Sequence, residues 1–144
     1  MTFQVTQRVD ENGVVLVTFT GTWDSNEWAR QIEDIWRELP ADFDPEGRPI
    51  LSDLTNCRFP ETGWVEHFRF VARKLANRRK APFRRAILIS GRDHGENDIA
   101  VRLLDATQRA WHNPNIETRG FTDRDEAYAW VTVTWLARAA DEAK

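Results

Sequence analysis

Residues 50–64 have the sequence Ile50-Leu51-Ser52-Asp53-Leu54-Thr55-Asn56-Cys57-Arg58-Phe59-Pro60-Glu61-Thr62-Gly63-Trp64. The start of this stretch predicts a short buried strand that runs into a polar loop. Pro60 closes the loop, and Thr62 and Gly63 open a helix. In open α/β sheets, ligands and partners collect where a strand ends and a helix begins, because free amides and the helix dipole point outward there. We therefore expect the functional site in this stretch.

The length and composition predict one cytoplasmic domain that covers residues 1–144. The net charge of −3 is small, so nucleic acid is not an expected partner of the chain as a whole. Cys57 is the single cysteine, which excludes an intrachain disulfide framework and a cysteine-rich metal site. No apolar run approaches membrane-spanning length, so we expect no transmembrane segment and no apolar signal region.

The chain opens with two runs in which apolar and polar residues alternate, residues 3–9 and 14–20. Asn12 and Gly13 lie between them. This pair favours a tight hairpin turn, because both residue types tolerate positive φ. The pattern predicts an antiparallel hairpin.

Four helices are expected. Three of them begin with Asp-x-x-Glu spacing, at residues 24–27, 93–96 and 123–126, which predicts a capping box at each start. The fourth begins after Thr62, where Val65 occupies the position of the reciprocal acid. Apolar residues at helical spacing follow each of the four starts.

Two further strands complete the pattern. The continuous apolar run from Ala86 to Ile89 predicts a parallel strand that is buried on both faces. Ile116, Thr118 and Phe121 form a weaker edge-strand pattern. The order β-β-α-β-α-β-α-β-α predicts an α/β fold with a mostly parallel sheet and one antiparallel strand from the opening hairpin.

Two short motifs carry a family resemblance: Leu51-Ser52-Asp53-Leu54 at the end of the third strand, and Gly120-Phe121-Thr122-Asp123-Arg124-Asp125-Glu126-Ala127-Tyr128-Ala129-Trp130 before and within the last helix. With this element order, the chain resembles the STAS domain, the fold of bacterial anti-sigma-factor antagonists. It is most similar to divergent bacterial STAS-like proteins that are related in shape to CRAL-TRIO lipid-binding domains. The resemblance implies a non-enzymatic regulatory module that docks a protein partner and uses no cofactor.

The phosphorylation motif of the family is changed in this chain. In the antagonists, the loop after the third strand carries an Asp-Ser-Ser-Gly motif whose first serine is phosphorylated, which switches off binding to a kinase-like anti-sigma factor. The corresponding residues here are Pro60-Glu61-Thr62-Gly63. Glu61 takes the phospho-acceptor position, and its carboxylate carries less charge and fewer acceptor oxygens than phosphate. The substitution argues against the family's switch and leaves Thr62 as the phosphorylation candidate.

The expected partner-binding surface consists of Asn56, Arg58, Glu61, Thr62, Gly63 and Trp64, with Arg58 as an anion contact. The helix after Thr62 lacks the glutamate of a capping box, so its amino end is the one most available to an outside acceptor. A simple cap by Thr62, which is common, explains the same sequence.

The CRAL-TRIO kinship and three tryptophans favour a different function, an apolar-ligand or lipid-binding domain. Trp23, Trp111 and Trp135 are not explained by helical spacing, and they would suit an apolar ligand site or a contact in a homo-oligomer. The basic stretch from Arg73 to Arg85 would suit anionic headgroups or an acidic partner, and it is also typical of a solvated helix end.

A small hydrolase that uses His94 is the third alternative. His94 lies between Asp93 and Glu96, but both acids belong to a predicted capping box and no nucleophile is evident nearby. The other two histidines, His67 and His112, lack ligand spacing, so we expect no metal site. The sequence as a whole predicts a protein that is not an enzyme.

Overall fold

The computed structural model describes residues 2–38, 47–59, 82–90 and 116–142. These residues form β1 (Gln4–Val9), β2 (Val15–Thr22), α1 (Ser25–Glu38), β3 (Ile50–Arg58), β4 (Phe83–Leu88), β5 (Ile116–Phe121) and α2 (Arg124–Glu142). The helices predicted after Thr62 and Asp93 fall on residues 60–81 and 91–115, outside the described residues.

The strands form one five-stranded sheet in the order β1-β2-β3-β4-β5. β1 pairs antiparallel with β2, whereas β2, β3, β4 and β5 pair in parallel. The predicted architecture, a mostly parallel sheet with one antiparallel strand from the opening hairpin, is confirmed.

The loop of the hairpin is longer than the tight two-residue turn suggested by Asn12 and Gly13. The Asp10 N–H donates to the Val14 carbonyl oxygen (3.0 Å), so residues 11–13 form the loop. Of these, Gly13 alone has positive φ, at +83°. The Asp10 side chain stabilises this loop, because its Oδ1 accepts from the Asn12 and Val14 amides at 3.0 and 2.9 Å.

The sheet carries a hydrophobic cluster on each face. The cluster on the α1 face contains Phe3, Val5, Val15, Val17, Phe19, Trp23, Trp28, Ile32, Leu54 and Ile87. The cluster on the α2 face contains Val14, Leu16, Leu51, Ala86, Leu88, Ala127 and Val131. Strands that bury side chains on both faces produce the continuous apolar runs of the sequence.

The predicted caps start both described helices. Asp24 Oδ1 accepts from the Asn26 and Glu27 amides at 3.0 and 3.1 Å, and Asp123 Oδ1 accepts from the Glu126 amide at 3.1 Å. The Glu27 carboxylate does not reach back as a capping box requires, because it accepts instead from Arg30 (2.7 Å).

Within the described ranges, neither α1 nor α2 is long and apolar enough to cross a membrane.

Candidate functional site

β3 is longer than the strand predicted from the sequence. The sequence predicted a polar loop from about Thr55 onward, but β3 continues to Arg58. Asn56 and Arg58 therefore lie on the strand, where they pair with Thr20 and Thr22 of β2. The Arg58 carbonyl oxygen also accepts a hydrogen bond from the backbone N–H of Trp23, the residue after β2. This pairing holds the backbone of both predicted site residues in place.

A β-bulge within β3 changes the direction of its side chains. The register is Thr18↔Asp53 followed by Thr20↔Asn56, so β3 contains one more residue than β2 between the two pairs. An extra residue interrupts the regular alternation of a strand. Leu54, Cys57 and Phe59 consequently contact the cluster on the α1 face, despite the uneven spacing between them. The bulge explains why the sequence resembles a loop here.

Asp53 is the hydrogen-bonding centre of the bulge. Its Oδ1 accepts from the Thr55 amide at 3.0 Å and from the Thr55 hydroxyl at 2.6 Å. Its Oδ2 accepts from Nη1 of Arg124 at 3.0 Å, which joins β3 to the first turn of α2. The Asp53 side chain is 17% exposed and that of Arg124 is 52% exposed. Three donors therefore satisfy the Asp53 carboxylate: the Thr55 amide, the Thr55 hydroxyl and the Arg124 guanidinium.

The end of β3 extends past its neighbour on one side. The last residue of β3 that pairs with β4 is Asp53, which lies opposite Leu88. Residues 54–58 continue along β2. Because β2, β3 and β4 are parallel, this extension lies at the edge of the sheet that collects the carboxyl ends of the strands.

Asn56 and Arg58 are the exposed side chains of this extension. They alternate with Cys57 and Phe59, which pack against the α1-face cluster, so the two polar side chains point to the other face. Within the described part of the chain, neither of these two side chains has a hydrogen-bond or ion-pair partner. The end of β3 thus exposes the Asn56 amide and the Arg58 guanidinium. The guanidinium can form a bidentate pair with a carboxylate or a phosphate.

The other four predicted site residues, Glu61, Thr62, Gly63 and Trp64, lie outside the described residues. Their place at the amino end of a helix, and phosphorylation of Thr62, stay predictions. The structure brings Asn56 and Arg58 together at one end of β3 and connects that end to α2 through Asp53.

Cys57 lies between the two exposed residues in the chain, and its side chain is half-buried against the core. It contacts the α1-face cluster, and burial raises the pKa of its thiol to about 12. A thiol with so high a pKa is protonated at neutral pH and is a poor nucleophile. Cys57 is therefore a packing residue in this fold.

Two members of the predicted basic stretch are described, and both have partners inside the protein. The Arg84 guanidinium lies 4.8 Å from the centre of the Trp130 ring, and its Nε donates to Glu117 at 3.2 Å. Arg85 is buried, and its Nε donates to the Ser52 hydroxyl at 3.1 Å. These contacts also explain why β4 begins at Phe83, earlier than the apolar run predicts.

The three histidines, including His94, lie outside the described residues, so the hydrolase alternative stays a prediction. Among the described residues, no group of three or more histidine, cysteine, aspartate or glutamate side chains could hold a metal ion.

The tryptophans left unexplained by the sequence have structural roles where they are described. Trp23 is 3% exposed, and its ring centre lies 5.2 Å from those of Phe3 and Trp28. Trp135 donates from Nε1 to the Asn12 carbonyl oxygen at 2.8 Å, which fastens the hairpin loop to α2. Trp111 lies outside the described residues.

Sequence reasoning did not identify Arg124 as part of this site. Its neighbours in the sequence are the acids of the α2 cap, so this segment indicated a helix start and a family motif but no contact with β3. Aspartate side chains commonly accept from a backbone amide two residues on, and Asp53 accepts in this way from the Thr55 amide within β3.

A comparison with solved structures identifies the fold. No family model matches the sequence, and a search of curated proteins found no match. The chain is similar to the crystal structure of an uncharacterized protein from the DUF3478 family, with a SpoIIAA-like fold, from Shewanella loihica PV-4. The TM-score is 0.54 at 18% sequence identity, over 90% of this chain and 93% of that one. The predicted STAS-like domain is thus confirmed at the level of the fold: this chain has a SpoIIAA-like architecture.

Proposed function

We propose that this chain is a non-enzymatic binding module of the cytoplasm that docks a protein partner through the carboxyl end of β3 and the residues that follow it. The observation that carries the proposal is the pair of exposed side chains, Asn56 and Arg58, on a strand whose backbone is fixed by β2. The chain has a SpoIIAA-like fold, and its sequence resemblance to the antagonists implies that it acts by binding a partner.

The surface has the properties of a preorganised docking site. The inward neighbours Leu54, Cys57 and Phe59 anchor the strand in the core, so little backbone order must be gained on binding. Among the described residues, no carboxylate forms an ion pair with Arg58, so its guanidinium is available to a partner. An exposed, unpaired arginine on a rigid strand is suited to a carboxylate or phosphate of the partner.

Glu61, Thr62, Gly63 and Trp64 complete the proposed surface. They follow β3 in the sequence after Phe59 and Pro60, and we include them in the proposed surface on that ground. Phosphorylation at Thr62 would add negative charge beside Glu61 and oppose an acidic partner. We propose Thr62 as the position where binding would be regulated.

The experiment compares partners captured by the parent protein and by charge variants. Tagged parent, Arg58→Glu, Glu61→Lys and Thr62→Asp proteins are expressed in the source cells, and captured proteins are measured by quantitative mass spectrometry. Arg37→Glu is the matched control, because Arg37 is exposed on α1, with 76% of its side chain accessible. We expect one protein that the parent and the control capture in stoichiometric amount and that Arg58→Glu loses.

Retention of every captured protein by all three site variants would overturn the proposed surface. Circular dichroism of each variant confirms that the fold is retained, which the exposure of Arg58 predicts.

A further inference from the structure

One part of the sheet is exposed on the side that carries α2. The α1-face cluster includes Val5 of β1 and Val17 of β2, so these two strands are covered on the α1 side. Among the described residues, the α2-face cluster has no member on β1, and its last member along β2 is Leu16. Side chains of a strand alternate between its faces, so the neighbours of Val5 point to the α2 side. The exposed polar side chains of β1 on that side are Gln4, Thr6 and Arg8.

The register of the strands continues this exposed area to the end of β3. Gln4 lies opposite Thr20, and Thr20 lies opposite Asn56, so one row of polar side chains crosses three strands. In the next row, Thr22 lies opposite Arg58. We define the polar sheet surface by its six exposed side chains, which are Gln4, Thr6, Arg8, Thr22, Asn56 and Arg58.

The polar sheet surface carries a cation near each of its ends. Arg8 and Arg58 are both exposed, and no described carboxylate forms an ion pair with either guanidinium. Asp53 and Asp10, the acids that border the surface, already accept hydrogen bonds from side chains of α2. The surface is therefore positive, although the net charge of the chain is −3. Charge complementarity favours an acidic ligand.

The distance between the two arginines excludes a small anion as the ligand of both. Arg8 lies in the row of Leu16, and Arg58 lies in the row of Thr22, six residues further along β2. At about 3.3 Å per residue, the two rows are about 20 Å apart along the strands. This separation exceeds the Debye length of about 8 Å at physiological ionic strength, so each guanidinium attracts its own anionic group. A ligand that contacts both arginines is an extended chain with several negative charges.

The side chains between the two arginines favour a polypeptide over a nucleic acid. The six side chains of the polar sheet surface include no aromatic ring on which a base could stack. Gln4 and Asn56 carry amides, which can both donate to and accept from peptide groups. The surface therefore suits the backbone of an acidic polypeptide as well as its carboxylates.

We propose that the polar sheet surface binds an acidic segment of a protein partner, with Arg8 and Arg58 as the two charge contacts. This inference rests on the proposed docking function, and it extends that site from the end of β3 across β2 to β1. The contact is polar, because none of the six exposed side chains is apolar. Binding is therefore expected to weaken as the salt concentration rises.

The first test is an NMR titration of the isotope-labelled full chain with polyglutamate. A peptide of about twelve residues spans up to about 40 Å and reaches both arginines, whereas one of about four residues spans about 13 Å and does not. We expect the long peptide to shift the amide signals of Gln4, Thr22 and Arg58 at low salt, and about 0.5 M salt to abolish the shifts.

Variants identify the two charge contacts in the same titration. Arg8→Ala and Arg58→Ala should each weaken binding of the long peptide about threefold, as expected for an exposed ion pair. With the short peptide, Arg8→Ala should leave the shift at Arg58 unchanged. Arg37→Ala, on α1, is the matched control and should bind both peptides as the parent does.

Three results would overturn the inference. The first is a set of shifts confined to residues outside the polar sheet surface. The second is binding of the long peptide that neither Arg8→Ala nor Arg58→Ala weakens. The third is tighter binding of single-stranded oligothymidylate of equal charge at the same amides, which would assign the surface to nucleic acid.

The capture experiment separates this inference from the proposed docking function. Arg8→Glu is added to the set of tagged variants, and circular dichroism confirms its fold. If Arg8→Glu retains the partner that Arg58→Glu loses, the docking function stands and the extension to β1 is wrong. If both variants lose that partner, the result supports the extension.

Discussion

Gly13 and Gly21 have nearly the same left-handed backbone, with φ of +83° and +85°, but different neighbours. A Cβ at Gly21 would lie against the backbone carbonyl of Thr2, which cannot move without displacing the start of β1. A Cβ at Gly13 would approach the Arg48 guanidinium, the end of a flexible side chain, at 2.8 Å. We predict that Gly21→Ala lowers the free energy of unfolding by about 3 kcal/mol and Gly13→Ala by about 1 kcal/mol.

Urea denaturation of the two glycine variants, followed by tryptophan fluorescence, measures both losses. The comparison is internally controlled, since the backbone strain is common to both positions. Equal losses would show that the close approach at Gly21 has no energetic effect.

The second prediction at this scale concerns Cys57, whose thiol pKa is raised to about 12 by burial. The thiolate is the reactive form, so we expect alkylation by iodoacetamide at about pH 8 to be at least about tenfold slower in the folded protein than in the unfolded chain. Intact-mass spectrometry over time, with and without urea, gives both rates. Similar rates would contradict the burial of this side chain.

The bulge in β3 depends on contacts at the scale of elements. Asp53 bonds to Thr55 within the strand and to Arg124 of α2. We predict that Asp53→Ala lowers the free energy of unfolding by about 2 kcal/mol, because it removes three hydrogen bonds at a part-buried position. Arg124→Ala should cost at most about 1 kcal/mol, because the Arg124 side chain is half exposed and its ion pair is screened.

A double-mutant cycle with Asp53→Ala and Arg124→Ala, measured by urea denaturation, separates the ion pair from the Thr55 contacts. If Arg124→Ala cost as much as Asp53→Ala, the helix contact and not the strand bulge would hold the site together.

The same bulge marks how far the elements could be predicted from the sequence. Strand and helix types follow from periodicity and caps, as Asp24 and Asp123 demonstrate. The end of β3 did not follow, because an extra residue breaks the alternation that indicates a strand. The start of β4 was not predicted either. Arg84 and Arg85 are charged, and only their contacts with residues remote in the sequence accommodate them on a strand.

At the scale of the whole molecule, α1 and α2 pack on opposite faces of one sheet, in separate clusters. We predict that Ile32→Val, on α1, costs about 1 kcal/mol and Val131→Ala, on α2, about 2 kcal/mol. Their effects should add to within about 0.5 kcal/mol, because the two sites share no partners.

Circular dichroism and fluorescence of the double variant should report one coincident transition, and separate transitions would contradict a single cooperative unit.

The sequence predicted where a candidate site lies but not its geometry. The general rule about strand ends in α/β sheets predicted a site after β3, and the structure exposes Asn56 and Arg58 at that end of the strand. The sequence could not reveal that both lie on a strand, or that Arg124 joins the site through Asp53. These features arise from pairing between residues far apart in the chain, which no local pattern records.

The most direct test of the proposed docking function is a native mass spectrum of the untagged protein, purified gently from its own cells. We predict a complex in which this chain is bound to a different protein. Thr62 should be unmodified in that complex, and any phosphate on Thr62 should be found in the unbound fraction. A spectrum that contains only copies of this chain, or the chain with a lipid-sized adduct, would contradict a protein-docking function for the end of β3.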